Sequence, residues 1–196
     1  MKNIANVSKK GKLLGVKEKV DLTHYHENAE EIYFGLGKSS FGHVLVAESK
    51  KGICVVYMGN DANRLVVQLQ TKFAQANLIE GDKNFQQVVK KVIKHIESPL
   101  LKNDFKLDIR GTDFQKKVWK AVRKIPLGKT VSYAEIAEKI GSPRAMRAVG
   151  TACSANSLAV LLPCHRVVRS DSSIKGYKWG TSRKEKLLEM ESQLVS

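Results

Sequence analysis

The sequence predicts an α/β protein in two dissimilar units, a small N-terminal sheet-plus-helix domain and a mainly helical C-terminal domain. Three observations carry this. Short Val-, Ile- and Tyr-rich segments broken by glycines crowd residues 32–59. Apolar residues then recur at helical spacing to residue 96. Beyond residue 111, short helices with their own start and stop signals follow closely on one another.

Residues 1–30 are polar and Lys-rich and read as an extension or linker. Within them, HYHENAE offers His24, His26 and Glu27, but no fourth ligand is indicated, so no metal is expected. Residues 31–103 form the first domain. IYFGLG, GHVLVAES and GICVVYMG are antiparallel strands joined by hairpins. A helix over 62–74 places Leu65, Leu69 and Phe73 on one face, and a second over 85–96 stops before Pro99. No cluster here looks catalytic.

The second domain spans 104–196 and opens with an extended connector, DFKLDIRG. Thr112-x-x-Gln115 is a capping box in front of the stripe Phe114, Val118, Trp119 and Val122. Ser132-x-x-Glu135 is another, opening a helix over 133–139 that stops at Gly141. Ser142 then reads as an N-cap, with Pro143 at the first position of a helix over 143–153. Two short helices about a glycine turn outline a helix-turn-helix. Its second helix carries Arg144 and Arg147, which can reach a phosphate or a base, and the small residues Ala145, Ala148 and Gly150, which permit close approach. The plainer reading is a three-helix packing motif with no nucleic acid in it.

Charge weighs on that choice. Lys and Arg number 34 against 19 Asp and Glu, a net +15. Such an excess is an electrostatic footprint for a polyanion or simply a solubility device, and says nothing of sequence specificity. No apolar stretch is long enough to cross a bilayer, and the basic N-terminus lacks a secretory apolar core, so the cytoplasm is the expected compartment. Cys54, Cys153 and Cys164 are odd in number and widely spaced, against a disulfide framework or a thiolate zinc site.

LLPCHRVV, residues 161–168, demands a chemical explanation. A thiol is a useful nucleophile only where part of it ionises, through nearby positive charge or hydrogen bonds. In a regular strand Cys164 and His165 face opposite ways, so a turn at Pro163 or a bridging water is needed to join them. A carboxylate must then hold the imidazole. In the last helix, which Ser182-x-x-Glu185 is expected to cap, Glu191 lies four residues from Leu187 and points inward with it, with Glu185 and Glu189 as rivals. Cys54 and Cys153 read as small core residues.

PCHRV, within a run from DIRGTDFQKKVW to KEKLLEME, resembles the O6-alkylguanine-DNA alkyltransferases, and the likeness reaches back to about Ile32. It is most similar to the methyltransferase half of the bacterial adaptive-response proteins, whose phosphotriester-repair and AraC-type domains have no counterpart in this sequence. A stand-alone alkyltransferase or the repair half of a larger protein is therefore expected.

The resemblance implies that Cys164 takes the alkyl group irreversibly from O6 of guanine in double-stranded DNA. His165 then acts as base through a water, Glu191 orients it, and Asn156 shapes the turn before the active-site segment. Tyr133 crowds the phosphate and donates a proton, and Arg147 fills the gap left by the flipped nucleotide. Ser142, Arg144, Ala148 and Gly150 belong to the DNA-binding surface, while Val167, Ser170, Ser173, Gly176 and Tyr177 belong to the substrate pocket. The implied fold is a sheet-plus-helix domain followed by a helical domain with a helix-turn-helix or winged-helix-like element in the minor groove. The protein is expected to act as a monomer without metal, nucleotide or methyl-donor cofactor, since the lesion is the donor. Ser170 and Ser172 depart from the glycines usual in this loop, which bears on substrate breadth. The rivals are non-catalytic binding of alkylated DNA that signals or recruits repair, thiol hydrolysis by Cys164 and His165, and transcriptional control by the methylated protein.

Overall fold

The structure, a computed structural model, describes residues 27–101, 104–171, 173–174 and 176–195. His24, His26 and Ser172 lie outside the described residues. The three glycine-broken segments form strands β1 (Glu31–Ser39), β2 (Gly42–Ser49) and β3 (Gly52–Gly59). They pair antiparallel in the register their hairpins dictate. A fourth strand, β4 (Asn77–Glu80), adds parallel to β1, giving the order β3-β2-β1-β4. This strand was not expected, because NLIE is short and carries no alternation to distinguish it from a loop.

Helices α1 (Ala62–Lys72) and α2 (Lys83–Glu97) pack on the sheet through the predicted apolar faces, Leu65 and Leu69 in one, Phe85, Val89, Val92 and Ile96 in the other. Asp61 and Asp82 cap them with their carboxylates. The approach of α2 to β1 is close: a Cβ at Gly37 would collide with Ile93 Cδ1.

The outer edge of β3 would be a liability if left open. Two pieces of the second half cover it. Ile53 exchanges backbone hydrogen bonds with Lys106 and Asp108 in the connector, and Val56 with Ser157 and Ala159. The second contact fixes the chain immediately after Asn156, so the sheet becomes the floor beneath the active-site segment.

The helical half comprises α3 (Asp113–Val122), α4 (Tyr133–Lys139), α5 (Met146–Ala155) and α6 (Thr181–Gln193). Both predicted capping boxes form, at Thr112/Gln115 and Ser132/Glu135. Trp119 donates from Nε1 to the Ala152 carbonyl at 2.9 Å, locking α3 to α5. Between α4 and α5, Gly141 takes φ +72, a left-handed value that ends α4. The helix-turn-helix is therefore present.

Two caps differ from expectation. Ser142 makes no side-chain cap, and Pro143–Ala145 is a 3-10 turn before α5 begins at Met146. The Ser142 backbone sits at φ −136, ψ 62, away from the extended N-cap geometry, while its carbonyl accepts from Ala145 at 2.8 Å. Ser182 does not cap α6 either. The chain enters that helix two residues earlier through Gly180 at φ +101, which leaves Ser182 and Glu185 inside it.

Two more short strands matter for the site. β5 (Val131–Ser132) and β6 (Val167–Val168) pair in parallel, setting the start of α4, at Tyr133, beside the segment that follows Cys164. Among the described residues, no helix is long and apolar enough to cross a membrane.

Candidate active site

Asn156 ends α5 and turns the chain into the active-site segment. Its side chain is buried and fully used. Nδ2 donates to the Leu162 carbonyl at 2.9 Å and to Cys164 Sγ at 3.4 Å, and Oδ1 accepts from Leu158 N–H at 2.7 Å. Val160, in the loop so formed, holds φ +65, which a β-branched residue adopts only when its surroundings compel it.

Cys164, His165 and Arg166 form a 3-10 turn after Pro163. The bend required to bring thiol and imidazole to one region is therefore present. Cys164 is 3 % exposed, and His165 and Glu191 are both 0 % exposed. His165 Nε2 lies 2.8 Å from Glu191 Oε1. Arg166 grips the same carboxylate with two donors, Nε to Oε2 at 2.8 Å and Nη2 to Oε1 at 2.9 Å, and donates from Nη1 to the Ile125 carbonyl at 2.8 Å. Glu185 and Glu189, the rivals to Glu191, are exposed on the other side of α6.

Burial pushes the Glu191 carboxyl up, but its hydrogen bonds to His165 and Arg166 outweigh that and hold it at about 2. Burial draws the His165 imidazole below its usual value, against the pull of Glu191. The resting pair is thus carboxylate and neutral imidazole, with Nε2–H donating to Glu191 and Nδ1 as the basic nitrogen. Nδ1 has no hydrogen-bond partner among the described residues.

The Cys164 thiol sits well above its ordinary range, first through its contact with the Cys153 thiol and then through burial. Asn156 and Lys184 pull the other way. At rest Cys164 is therefore held as a thiol. Cys54 is pushed up to about 12 by burial and packs in β3 against the Ala47 carbonyl, a structural role as expected.

Three participants escaped sequence reasoning. Cys153 touches Cys164, although it reads as core. Arg166 is the second partner of Glu191. Lys184 is 1 % exposed on α6, donates to the Val167 carbonyl at 2.6 Å, and is the cation nearest in effect to Cys164. Its position three residues before Leu187 and seven before Glu191 places all three on one helical face, a signal legible in the sequence.

Tyr133 is half-buried, and a Cβ at Gly150 would lie 3.9 Å from its ring, so α5 presents a smooth face to it. Burial pushes its hydroxyl up, and the two thiols Cys153 and Cys164 act in the same sense. Val167 is buried in β6. Tyr177 sets its ring edge-on to His165, 6.3 Å between centroids. Ser170 and Gly176 are exposed, and Ser173 donates its N–H to Asp171 in a local turn. Arg144, Arg147 and Ala148 are exposed and Ser142 and Gly150 half-exposed, on the outward side of the helix-turn-helix. Among the described residues, no group of His, Cys, Asp and Glu could hold a metal ion.

Comparison with known proteins bears on this arrangement. The family described as 6-O-methylguanine DNA methyltransferase, ribonuclease-like domain, matches residues 32–109, and its DNA binding domain matches residues 113–193. The bifunctional transcriptional activator/DNA repair enzyme Ada of Escherichia coli is 46% identical over 162 residues, 83% of this chain and 46% of that protein. The chain thus spans less than half the length of that curated relative. The methylated-DNA–protein-cysteine methyltransferase of Methanosarcina barkeri is 39% identical over 160 residues, 82% of this chain and 97% of that protein. The structure of Mycobacterium tuberculosis OGT in complex with DNA superposes with a TM-score of 0.68 at 34% identity, covering 83% of this chain and 93% of that one. With both halves of its described fold matched in order, and almost all of the Methanosarcina relative aligned, the chain belongs to the 6-O-methylguanine DNA methyltransferase family.

Proposed function

We propose that the protein repairs DNA directly, moving the alkyl group from O6 of guanine to Cys164 in a single irreversible turnover. The observation that carries the reading is a buried thiol next in sequence to a neutral imidazole that is held by a buried carboxylate. The reaction is an in-line displacement at the alkyl carbon. The Cys164 proton passes to His165 Nδ1 through one water as the S–C bond forms and the O6–C bond breaks. Glu191 and Arg166 fix the ring, and Glu191 stabilises the imidazolium. The proton required by the departing guanine comes from the Tyr133 hydroxyl.

A thiol that rests protonated is protected from stray oxidants and alkylators, and activation waits for the substrate. Lys184 and the Asn156 amide supply the positive field that favours the thiolate once the proton has moved. Because the reacting carbon is inaccessible within a stacked duplex, the guanine must be flipped out, at a cost of a few kcal/mol. Arg147, exposed on α5, takes the vacated place, with Ser142, Arg144, Ala148 and Gly150 along the minor groove and Ser170, Ser173, Gly176 and Tyr177 bordering the extruded base. Residues 31–103 form the supporting domain and 104–196 the DNA-binding and catalytic one. The protein works as a cytoplasmic monomer and draws on no cofactor, because the lesion itself is the alkyl donor.

Incubation with duplex DNA bearing labelled O6-methylguanine tests this. One label per protein, mapped to Cys164 and lost in Cys164→Ala, is the expected result. No uptake identifies a binder of damage, and release of label with turnover identifies a hydrolase; either result overturns the proposal.

A further inference from the structure

Lys178 lies outside the set of residues so far given a role. We propose that it is a positioning residue for the transfer reaction, its ammonium holding the Asn156 carbonyl and, through Asn156, the Cys164 thiol. The inference rests on the transfer reading above and extends it to a side chain that touches neither thiol nor imidazole.

Three consecutive residues grip the site from different sides. Tyr177 lays its ring edge-on to His165. Trp179, buried, packs on Tyr57 of β3 with 5.0 Å between ring centroids. Between them, Lys178 is an exposed residue whose ammonium donates to the Asn156 carbonyl at 3.1 Å in a part-buried contact. The same nitrogen stands 4.7 Å from the Trp179 ring centroid and 5.4 Å from that of Tyr57, so it is held by two π faces as well as by the carbonyl.

Asn156 is where this matters. Its side chain bonds Cys164 Sγ, the Leu162 carbonyl and Leu158 N–H, and the next residues are stitched to β3 through Val56. Its own carbonyl is the remaining polar handle on that turn, and Lys178 holds it. A contact of 3.4 Å to a sulfur is soft, and a small rotation of the turn would break it. Lys178 thus couples the loop around the base pocket to the alignment of the nucleophile.

Among the described residues, no carboxylate pairs with this ammonium. It borders an open cleft of about 600 Å³ that carries Arg64 and Lys72 from α1 and Arg183 from α6, with Asp61 as the one acidic member of its lining. Asp61 is already paired with Arg64. Desolvation of the ammonium end, and then the charge of Lys72, draw its pKa down to about 8. Tyr57, the other titratable group against it, is held protonated by burial. Protonated Lys178 makes the stronger, charge-assisted bond, so the clamp is full below pH 8 and weakens as the pH rises beyond it.

The test follows intact mass against time for wild type, Lys178→Met and Lys178→Arg, with duplex O6-methylguanine DNA and with free O6-benzylguanine. Loss of a charge-assisted bond predicts that Lys178→Met is slowed about tenfold on both substrates, at a temperature where the variant is fully folded and well beyond what a modest drop in melting temperature explains. Lys178→Arg recovers to within about twofold and, staying charged, lacks the wild-type slowing above pH 8. A wild type that gains no mass overturns the transfer reading and this inference with it. If the wild type reacts, four results overturn the role of Lys178 alone. These are an unaltered Lys178→Met rate, a loss on duplex DNA only, a loss tracking a lowered melting temperature, and a loss that arginine does not restore.

Discussion

His165 Nε2 and Glu191 Oε1 meet at 2.8 Å where neither residue is exposed to solvent, and Arg166 holds the same carboxylate. The arrangement gives Glu191 two separable tasks. It balances the Arg166 charge at rest, and in the proposed transfer it would stabilise the imidazolium when His165 takes a proton. Glu191→Gln keeps the shape and loses the charge. Transfer by this variant is expected to fall about 100-fold, the scale of an impaired general base, as measured by single-turnover label uptake. A rate within twofold of wild type would show that the imidazole does not become charged in the reaction.

Stability should depend on pH through the same pair. The folded pKa of His165 lies below its ordinary 6.5, so the unfolded chain gains a proton that the folded one refuses. Stability is therefore complete above about pH 6.5 and falls below it, by roughly 1.4 kcal/mol per pH unit for one proton. Glu191 is held at about 2 against an ordinary 4.5, so its stabilising contribution is present above pH 4.5 and is lost as the pH falls from there toward 2. Urea midpoints across pH 3–8 measure both. A flat profile between pH 5 and 6.5 contradicts a buried neutral His165.

Asn156→Ala removes the acceptor of the buried Leu158 N–H, and one of two donors to the Leu162 carbonyl, which keeps the Cys164 N–H. An orphaned buried N–H costs about 1–3 kcal/mol, and the urea midpoint should drop by a corresponding amount. The rate of Cys164 alkylation should also fall, because Sγ loses its amide donor. A stable variant with a normal rate would show that the loop is held by backbone contacts alone.

Lys184→Met preserves the length and apolar volume of a side chain sealed on α6 while deleting its charge. With that cation gone, the pull lowering the Cys164 pKa weakens. The thiol is expected to titrate at higher pH, seen by thiolate ultraviolet absorbance, and transfer to slow about tenfold. An unchanged titration would mean that the ammonium acts only as the donor to Val167.

How much of this was legible depends on the range of each interaction. Capping boxes at Thr112 and Ser132 and the strands 32–59 are local signals, and they read correctly. Ser142 and Ser182 failed because an N-cap depends on backbone angles that a residue pattern does not fix: a 3-10 turn displaced one start and Gly180 the other. Glu191 was readable from its helical phase with Leu187, and Lys184 shares that phase. Cys153 meets Cys164 only through the turn at Asn156, and β4 exists only because β1 offers it an edge. Such tertiary contacts leave no periodic trace in a single sequence. The catalytic assignment itself came from resemblance, since two adjacent residues in PCHRV do not disclose their geometry.

The role proposed for Arg147, filling the gap left by the flipped guanine, would separate base flipping from chemistry. Arg147 is exposed on α5, and the Thr151 hydroxyl one turn on bonds its backbone carbonyl rather than its guanidinium, so truncating the side chain leaves the helix intact. In duplex DNA the extruded guanine leaves a gap whose refilling offsets part of the unstacking cost of a few kcal/mol. Free O6-benzylguanine needs no extrusion and enters the pocket directly. Arg147→Ala is therefore expected to react with duplex O6-methylguanine about 100-fold more slowly, near 3 kcal/mol of lost flipping support, and with the free base at close to the wild-type rate. The ratio of the two rate constants is the informative quantity, because a general loss of folded protein lowers both together. Equal losses on the two substrates would place Arg147 in the scaffold and leave the flipped state to be supported by other groups on α4 and α5.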